Sequence, residues 1–247
     1  MIDALRTARG VMRSLRIYYG GRTRSAAMDK VYGAFVHRGD LAFDIGAHVG
    51  DRVASFRRLG ARVVALEPQP ALALSLRALF AFDRDVTVEQ TAIARAQGVV
   101  DLLINIDNPT VSTASRDFIR AAEDADGWRE QRWTRSLNVP ATTLDALITR
   151  HGTPSFIKID VEGFEAEALA GLSKAVAALS FEFTTIQRDI ALDAIERCET
   201  LGYARYNAAL GESQTFAHRD WIAADGLRQW LSALPHEANS GDIYARL

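Results

Sequence analysis

Three carboxylates and two glycines stand out in residues 41–68 of this 247-residue chain. Asp44 closes an apolar run, Gly46-Ala47-His48-Val49-Gly50 makes a turn that opens a helix, Asp51 follows, and Glu67 ends the next apolar run twenty-three positions after Asp44. Glycine lets the backbone bend sharply and approach a ligand, and an acid at a strand end can accept both hydroxyls of a ribose. A dinucleotide would need G-x-G-x-x-G, so that its pyrophosphate could rest on the amides of the helix start. Here the middle glycine is missing. Asp44 and Asp51 would repel phosphate, yet they suit a ligand carrying an α-ammonium and a sulfonium, which favours S-adenosylmethionine.

A second set lies at 158–162, where Lys158, Asp160 and Glu162 alternate through the end of an apolar run. In an extended chain that spacing puts all three on one side, and charges are rarely buried in a strand without pairing or a task. Asp160 or Glu162 could accept a proton or orient a hydroxyl, and Lys158 could tune them or hold an anionic group. Two acids at this spacing could also bind a divalent ion, but no third ligand is evident nearby, so the chain is read without a metal. His48, inside the glycine turn, could reach the ligand. His37 and His151 read as solvated loop residues, while His218, His236, Asn239 and Asp242 could rim the pocket.

Positioning these groups takes alternating strands and helices. The pattern predicts strands ending at Asp44 and Glu67, a helix over 70–82, strands at 86–90 and 99–104, a helix over 143–151 and a strand at 155–159. Helices over 165–178, 190–201 and 220–234 then alternate with strands at 179–185 and 203–210, and 242–247 reads as an antiparallel closing strand. Such alternation implies an α/β fold with a mostly parallel sheet covered on both faces. Residues 105–138 break the pattern with a Ser/Thr cluster and two tryptophans. That length predicts a lid or cap containing a helix over 117–124. The domain reading is a basic helical segment over 1–39 and one domain over 40–247 carrying the cap insertion.

Composition narrows the class. A 48% hydrophobic and 24% charged chain is globular, and a net charge of −2 gives no global field to recruit nucleic acid. Cys198 has no partner for an intrachain disulfide and reads as helix core. No apolar run approaches a membrane span, so the chain reads as a cytoplasmic enzyme. The N-terminal segment is basic (Arg6, Arg9, Arg13, Arg16, Arg22, Arg24, Lys30), with Leu5, Val11, Met12, Leu15 and Ile17 as an apolar face. That face could rest on the body, on a second copy in a homodimer, or on an anionic membrane surface.

With FDIGAHVGD at 43–51, ALEPQP at 65–70, PATTLDAL at 140–147 and IKIDVEGFEAEALAG at 157–171, the chain resembles the FkbM family of S-adenosylmethionine-dependent methyltransferases. The resemblance implies the Rossmann-like class I methyltransferase fold, with a seven-stranded sheet whose last strand is antiparallel. It also implies O-methylation of sugars, polyketides and similar natural products. Asp44, Gly46 and Gly50 would face the methionine part of the cofactor, Glu67 the ribose, and Thr91 and Ala92 the adenine neighbourhood. Ala47, His48, Asp51, Pro68 and Asp160 complete the candidate cofactor set, and Lys158, Asp160 and Glu162 would line the reaction centre. His48 departs from the asparagine expected at its position.

The reading is an O-methyltransferase acting on a hydroxyl of a small molecule or glycan, with Trp128, Trp133, Tyr206 and Trp221 suited either to a sugar surface or to a core. Two rivals stand beside it: a cofactor-binding scaffold of a glycan-assembly system, and a nicotinamide-dependent oxidoreductase.

Overall fold

The computed structural model describes residues 2–247, without the side chains of residues 2–5 and of Arg22, so Leu5 and Arg22 of the N-terminal pattern lie outside the described side chains. Helices α1 (Ile2–Tyr19) and α2 (Arg22–Tyr32) precede β1 (Leu41–Ile45), α3 (Asp51–Arg58), β2 (Arg62–Leu66), α4 (Pro70–Leu79) and β3 (Val86–Glu89). A short β4 (Ala92–Ile93) and β5 (Gly98–Ile104) lead to a 3-10 turn at Pro109–Val111 and helix α5 (Arg116–Glu123), and β6 (Arg135–Thr142) returns. Then come α6 (Leu144–His151), β7 (Phe156–Ile159), α7 (Glu165–Ala170), β8 (Ala178–Thr184), α8 (Arg188–Leu201), β9 (Arg205–Leu210), α9 (Ala224–Ala233) and β10 (Ser240–Arg246).

Seven strands form one sheet in the order β3-β2-β1-β7-β8-β10-β9, in which β10 runs antiparallel to both neighbours. The other pairings are parallel. Side chains alternate between the faces of each strand. On one face Phe43, Ile45, Ile157, Ile159 and Phe181 pack with Leu144, Leu169 and Ile195 of α6, α7 and α8. On the other, Ala42, Val63, Ala65 and Phe156 meet Met28, Tyr32, Val53 and Phe56 of α2 and α3. This second face turns polar toward the carboxyl ends, where Asp44 lies opposite Lys158 in register and Glu182 lies opposite Asp242.

Several elements differ from the sequence reading. β5 leaves the main alternation and joins a separate sheet in the order β4-β6-β5. The irregular stretch ends at Arg135 rather than 138, because β6 pairs with β5 along its length and buries Val139 and Ala141 against Leu102. Pro140 conceals that strand in the sequence, since proline is tolerated in sheets mainly at edges and bulges. Helix α7 stops at Gly171 instead of reaching 178, and α9 begins at Ala224 rather than 220. On α1 the inward stripe is Val11, Ser14, Leu15 and Tyr18, the helical repeat, while Met12 and Ile17 remain 66% and 55% exposed. Among the described residues no helix is long and apolar enough to cross a membrane.

Candidate active site

A cleft opens beyond the carboxyl ends of β1, β2 and β7. After β1 the amides of Gly46 and Ala47 both donate to the carbonyl of Leu66, at 3.0 and 2.8 Å, which folds the chain across the end of β2. Gly46 has φ +83°, and a Cβ there would stand 1.8 Å from the carbonyl oxygen of Asp160, so no other residue fits. Gly50, also at φ +83°, serves the packing instead: a Cβ would come within 2.5 Å of Leu76. Contrary to the sequence reading, Gly50 does not line the cleft.

At this end the acids are buried singly. Glu67 is 3% exposed, and its carboxylate accepts the amides of His48 (2.9 Å) and Gln69 (2.8 Å). Burial nevertheless pushes it up to about 8. Asp44 is 2% exposed with Oδ2 enclosed and without a hydrogen-bond partner, and burial pushes it up to about 7 against the pull of Lys158. Burial drives the His48 ring down to about 4, so the imidazole is neutral. It packs edge-on to Tyr18 (5.3 Å between centroids), with Nε2 3.4 Å from Thr110 Oγ1.

Asp51 departs from its expected role. It lines the cleft, but Arg24 (3.0 Å) and Arg52 (2.6 Å) already match its charge. Of the two acids beside the turn, only Asp44 is left for a cation. Pro68, Thr91 and Ala92 line the cleft, with Ile93 and Leu102 adding an apolar slot beside them.

At the other end the charges crowd together. Lys158 is 1% exposed and donates to Asp160 (3.0 Å) and Asp242 (2.9 Å). Burial would discharge the ammonium, but Asp160 and Asp242 hold it well above its ordinary value. Burial also works upward on Asp160, and Lys158 with Arg52 more than offsets it, so this carboxylate sits below its ordinary range. Glu162 is 7% exposed and is pushed well up by burial, then by Asp160 and Glu165. The expected extended run stops at Ile159: Glu162 adopts a left-handed conformation (φ 53°) and Gly163 follows at φ 83°, so a turn rather than strand alternation brings Glu162 back beside Asp160. The same turn is tied to the cap, where Thr113 Oγ1 donates to the Glu162 carbonyl at 2.6 Å.

The remaining candidates fall elsewhere. Asp242 reaches the site only through Lys158, His236 and Asn239 line a separate cavity with Trp128, and His218 packs on Trp230. His151 is not a loop residue: it ends α6 and sits 2.6 Å from Glu89. None of the four aromatics lines the cleft. Trp128 and Trp133 pack on Phe118 inside the cap, Tyr206 is in the core, and Trp221 packs on Phe35. The sequence reading missed Tyr18, Arg52, Gln69, Thr110 and Glu212, all of which line the cleft. It also missed Glu182, although an acid between Phe181 and Phe183 in an apolar run was a visible signal.

The cleft encloses about 890 Å³ of empty space, part of it open to solvent. Its donor set fits S-adenosylmethionine: an unpartnered buried oxygen on Asp44 for an ammonium, and a Glu67 carboxylate anchored from behind for a ribose diol. Strand order, reversed β10 and an acid-lined cleft at the strand ends together define the class I methyltransferase fold. Residues 44–238 match the methyltransferase FkbM domain, and the chain belongs to that family. It is a methyltransferase with S-adenosylmethionine as its cofactor.

No curated protein matches the chain in sequence. Solved structures similar to it include magnesium protoporphyrin IX methyltransferase from Synechocystis PCC 6803 with bound SAM, at 12% identity and TM-score 0.47 over 96% of this chain and 83% of that one. A putative O-methyltransferase from Klebsiella pneumoniae matches at 10% identity and TM-score 0.46 over 96% and 89%. A TehB-like SAM-dependent methyltransferase from Corynebacterium glutamicum matches at 13% identity and TM-score 0.45 over 89% and 86%.

Proposed function

We propose that this methyltransferase acts on a hydroxyl oxygen, on a sugar of a glycan or of a glycosylated natural product. The observation that carries the reading is the pair Asp160 and Glu162, two carboxylates lining the cleft immediately beside the Gly46 turn. When bound, S-adenosylmethionine supplies an electrophilic methyl carbon on a sulfonium. Asp44 would hold its ammonium, Glu67 its ribose hydroxyls, and Thr91 and Ala92 its adenine. The acceptor oxygen must lie in line behind that carbon and lose its proton as the C–O bond forms. Glu162 orients the O–H, and Asp160, which Lys158 keeps ionised, receives the proton. Alignment contributes on the order of 7–11 kcal/mol and a positioned base about 10²–10⁴-fold. Thr110, Ser112, Gln69 and Glu212 line the same cleft and can hydrogen-bond a hydroxyl-rich acceptor.

The test has two arms. Asp160→Asn should keep S-adenosylhomocysteine affinity within a few-fold by calorimetry and lose about 10²–10⁴ in methylation rate. Mass spectrometry of glycans and metabolites from cells with and without the gene should find one methyl group gained on a hydroxyl. An Asp160→Asn chain of unchanged activity, or a methyl group found on carbon or nitrogen, would sink the reading.

A further inference from the structure

The acceptor end gathers more carboxyl groups than its one ammonium can pair. One carboxylate oxygen each from Asp160, Glu162 and Glu182 lie within 4.8 Å of one another, and Glu165 and Asp242 stand close behind. The ammonium in reach, Lys158, is already shared between Asp160 and Asp242. An independent observation points into the same space. Glu162 is 7% exposed and lines the cleft. Glu182 Oε2 is enclosed and without a hydrogen-bond partner. The Asp160 and Glu182 carboxyls lie side by side, which two anions sustain only with a proton or a cation between them.

We infer that Asp160, Glu162 and Glu182 hold a divalent cation of the Mg²⁺ or Mn²⁺ kind at the acceptor end of the cleft. Ligand oxygens at ~2.0–2.6 Å from an ion stand up to about 5 Å apart across it, the spread found here. The donor set is oxygen alone, without imidazole or thiolate, which selects hard cations over zinc or copper. The spacing of Asp160 and Glu162 supplies two ligands, and the fold supplies the third from β8, where Glu182 shares a sheet face with Lys158 and Asp242. Three protein oxygens leave an octahedral ion with open positions. On the hydroxyl-acceptor reading proposed above, an open position takes the acceptor oxygen, and the ion's charge eases loss of its proton to the neighbouring carboxylates or to water.

The ion alone tests the inference. The full chain, stripped with EDTA and free of cofactor and acceptor, is titrated with MnCl₂ while free Mn²⁺ is followed by electron paramagnetic resonance; MgCl₂ then competes. One Mn²⁺ per chain is expected, displaced by Mg²⁺. Glu182→Gln and Glu162→Gln should each weaken binding by about tenfold or more, and Glu199→Gln, on a distant surface, should not. Circular dichroism melting and S-adenosylhomocysteine binding of each variant establish that it is folded. If a variant fails to fold, stoichiometric binding to the wild type, seen also as a Tm raised by Mn²⁺, decides alone. Folded wild type that binds S-adenosylhomocysteine but no Mn²⁺ overturns the site, as does binding that both variants leave intact, and neither result touches the hydroxyl-acceptor reading. Binding lost in the variants supports the site even if the methylated atom is not a hydroxyl oxygen.

Discussion

At the cofactor end of the cleft Glu67 accepts two backbone amides, whereas at the acceptor end Glu182 Oε2 is enclosed without a hydrogen-bond partner. Asp44 belongs with the first kind: one acid, one lateral neighbour in Lys158, one oxygen left over. Asp160, Glu162, Glu165 and Glu182 belong with the second, several acids around one ammonium. The difference lies in what completes each group. An isolated buried acid is a socket that an organic cation or a diol can fill and leave, because its burial penalty is small enough for the fold to carry between turnovers. Clustered acids cost more, since each raises the penalty of its neighbours, and they need a resident positive charge.

The sharpest way to break that contrast is to remove the resident charge. Lys158→Met leaves Asp160 and Asp242 facing each other uncompensated in the interior and should destabilise the protein by about 3–5 kcal/mol in urea unfolding. A loss no greater than that of an average core substitution would mean the acids there are already neutral. At the other end, Glu67→Gln keeps shape and removes charge. It should cost about 1.5–3 kcal/mol of S-adenosylhomocysteine affinity by calorimetry and, because its NH2 meets one of the two backbone N–H groups that Glu67 accepts, about 1–3 kcal/mol in urea unfolding.

A pH series separates the ends without mutation. Burial raises Asp44 to about 7 and Glu67 to about 8, above their ordinary values of 3.8 and 4.5. Between those limits the ligand-free fold binds protons that the unfolded chain has released. The stability these two groups contribute is therefore complete below the ordinary carboxylate values and is lost as pH rises through about 7 and 8. An ammonium and a diol favour the ionised forms. S-adenosylhomocysteine affinity should thus rise by roughly tenfold from pH 6 to 8, with protons released, as calorimetry in buffers of different ionisation heat would show. Smallest is the expected effect of Ser115→Ala. It removes the cap that Phe118 N donates to at 3.1 Å on α5, costs about 1 kcal/mol, and should raise the KM of the acceptor more than that of the cofactor.

The cofactor end was legible because it is local: Asp44, the Gly46 turn and Glu67 all lie within one strand-turn-helix-strand unit, so spacing alone brings them together. Even there, spacing could not show that Arg24 of α2 and the adjacent Arg52 neutralise Asp51, or that Gly50 answers to Leu76 rather than to a ligand. The acceptor end was half legible. Asp160 and Lys158 follow from strand alternation, but Glu162 arrives through a left-handed turn, and Glu182 becomes a neighbour only through the register of β7, β8 and β10. Register between strands joined by long crossovers is a property of the whole sheet, and no window of sequence contains it. β6 was lost for a simpler reason: Asn138 and Pro140 interrupt the apolar pattern that its pairing with β5 nonetheless satisfies.

Residues 105–134 leave the body at Ile104 and return at Arg135, two positions that face each other across paired strands. A segment whose ends are clamped together can be lengthened, shortened or exchanged without moving its anchorage, at an entropic charge that grows only slowly with length. Because Pro109, Thr110 and Ser112 of that segment reach the cleft, rewriting it would reshape one wall of the cleft while Asp44, Gly46 and Glu67 keep their places at the strand ends.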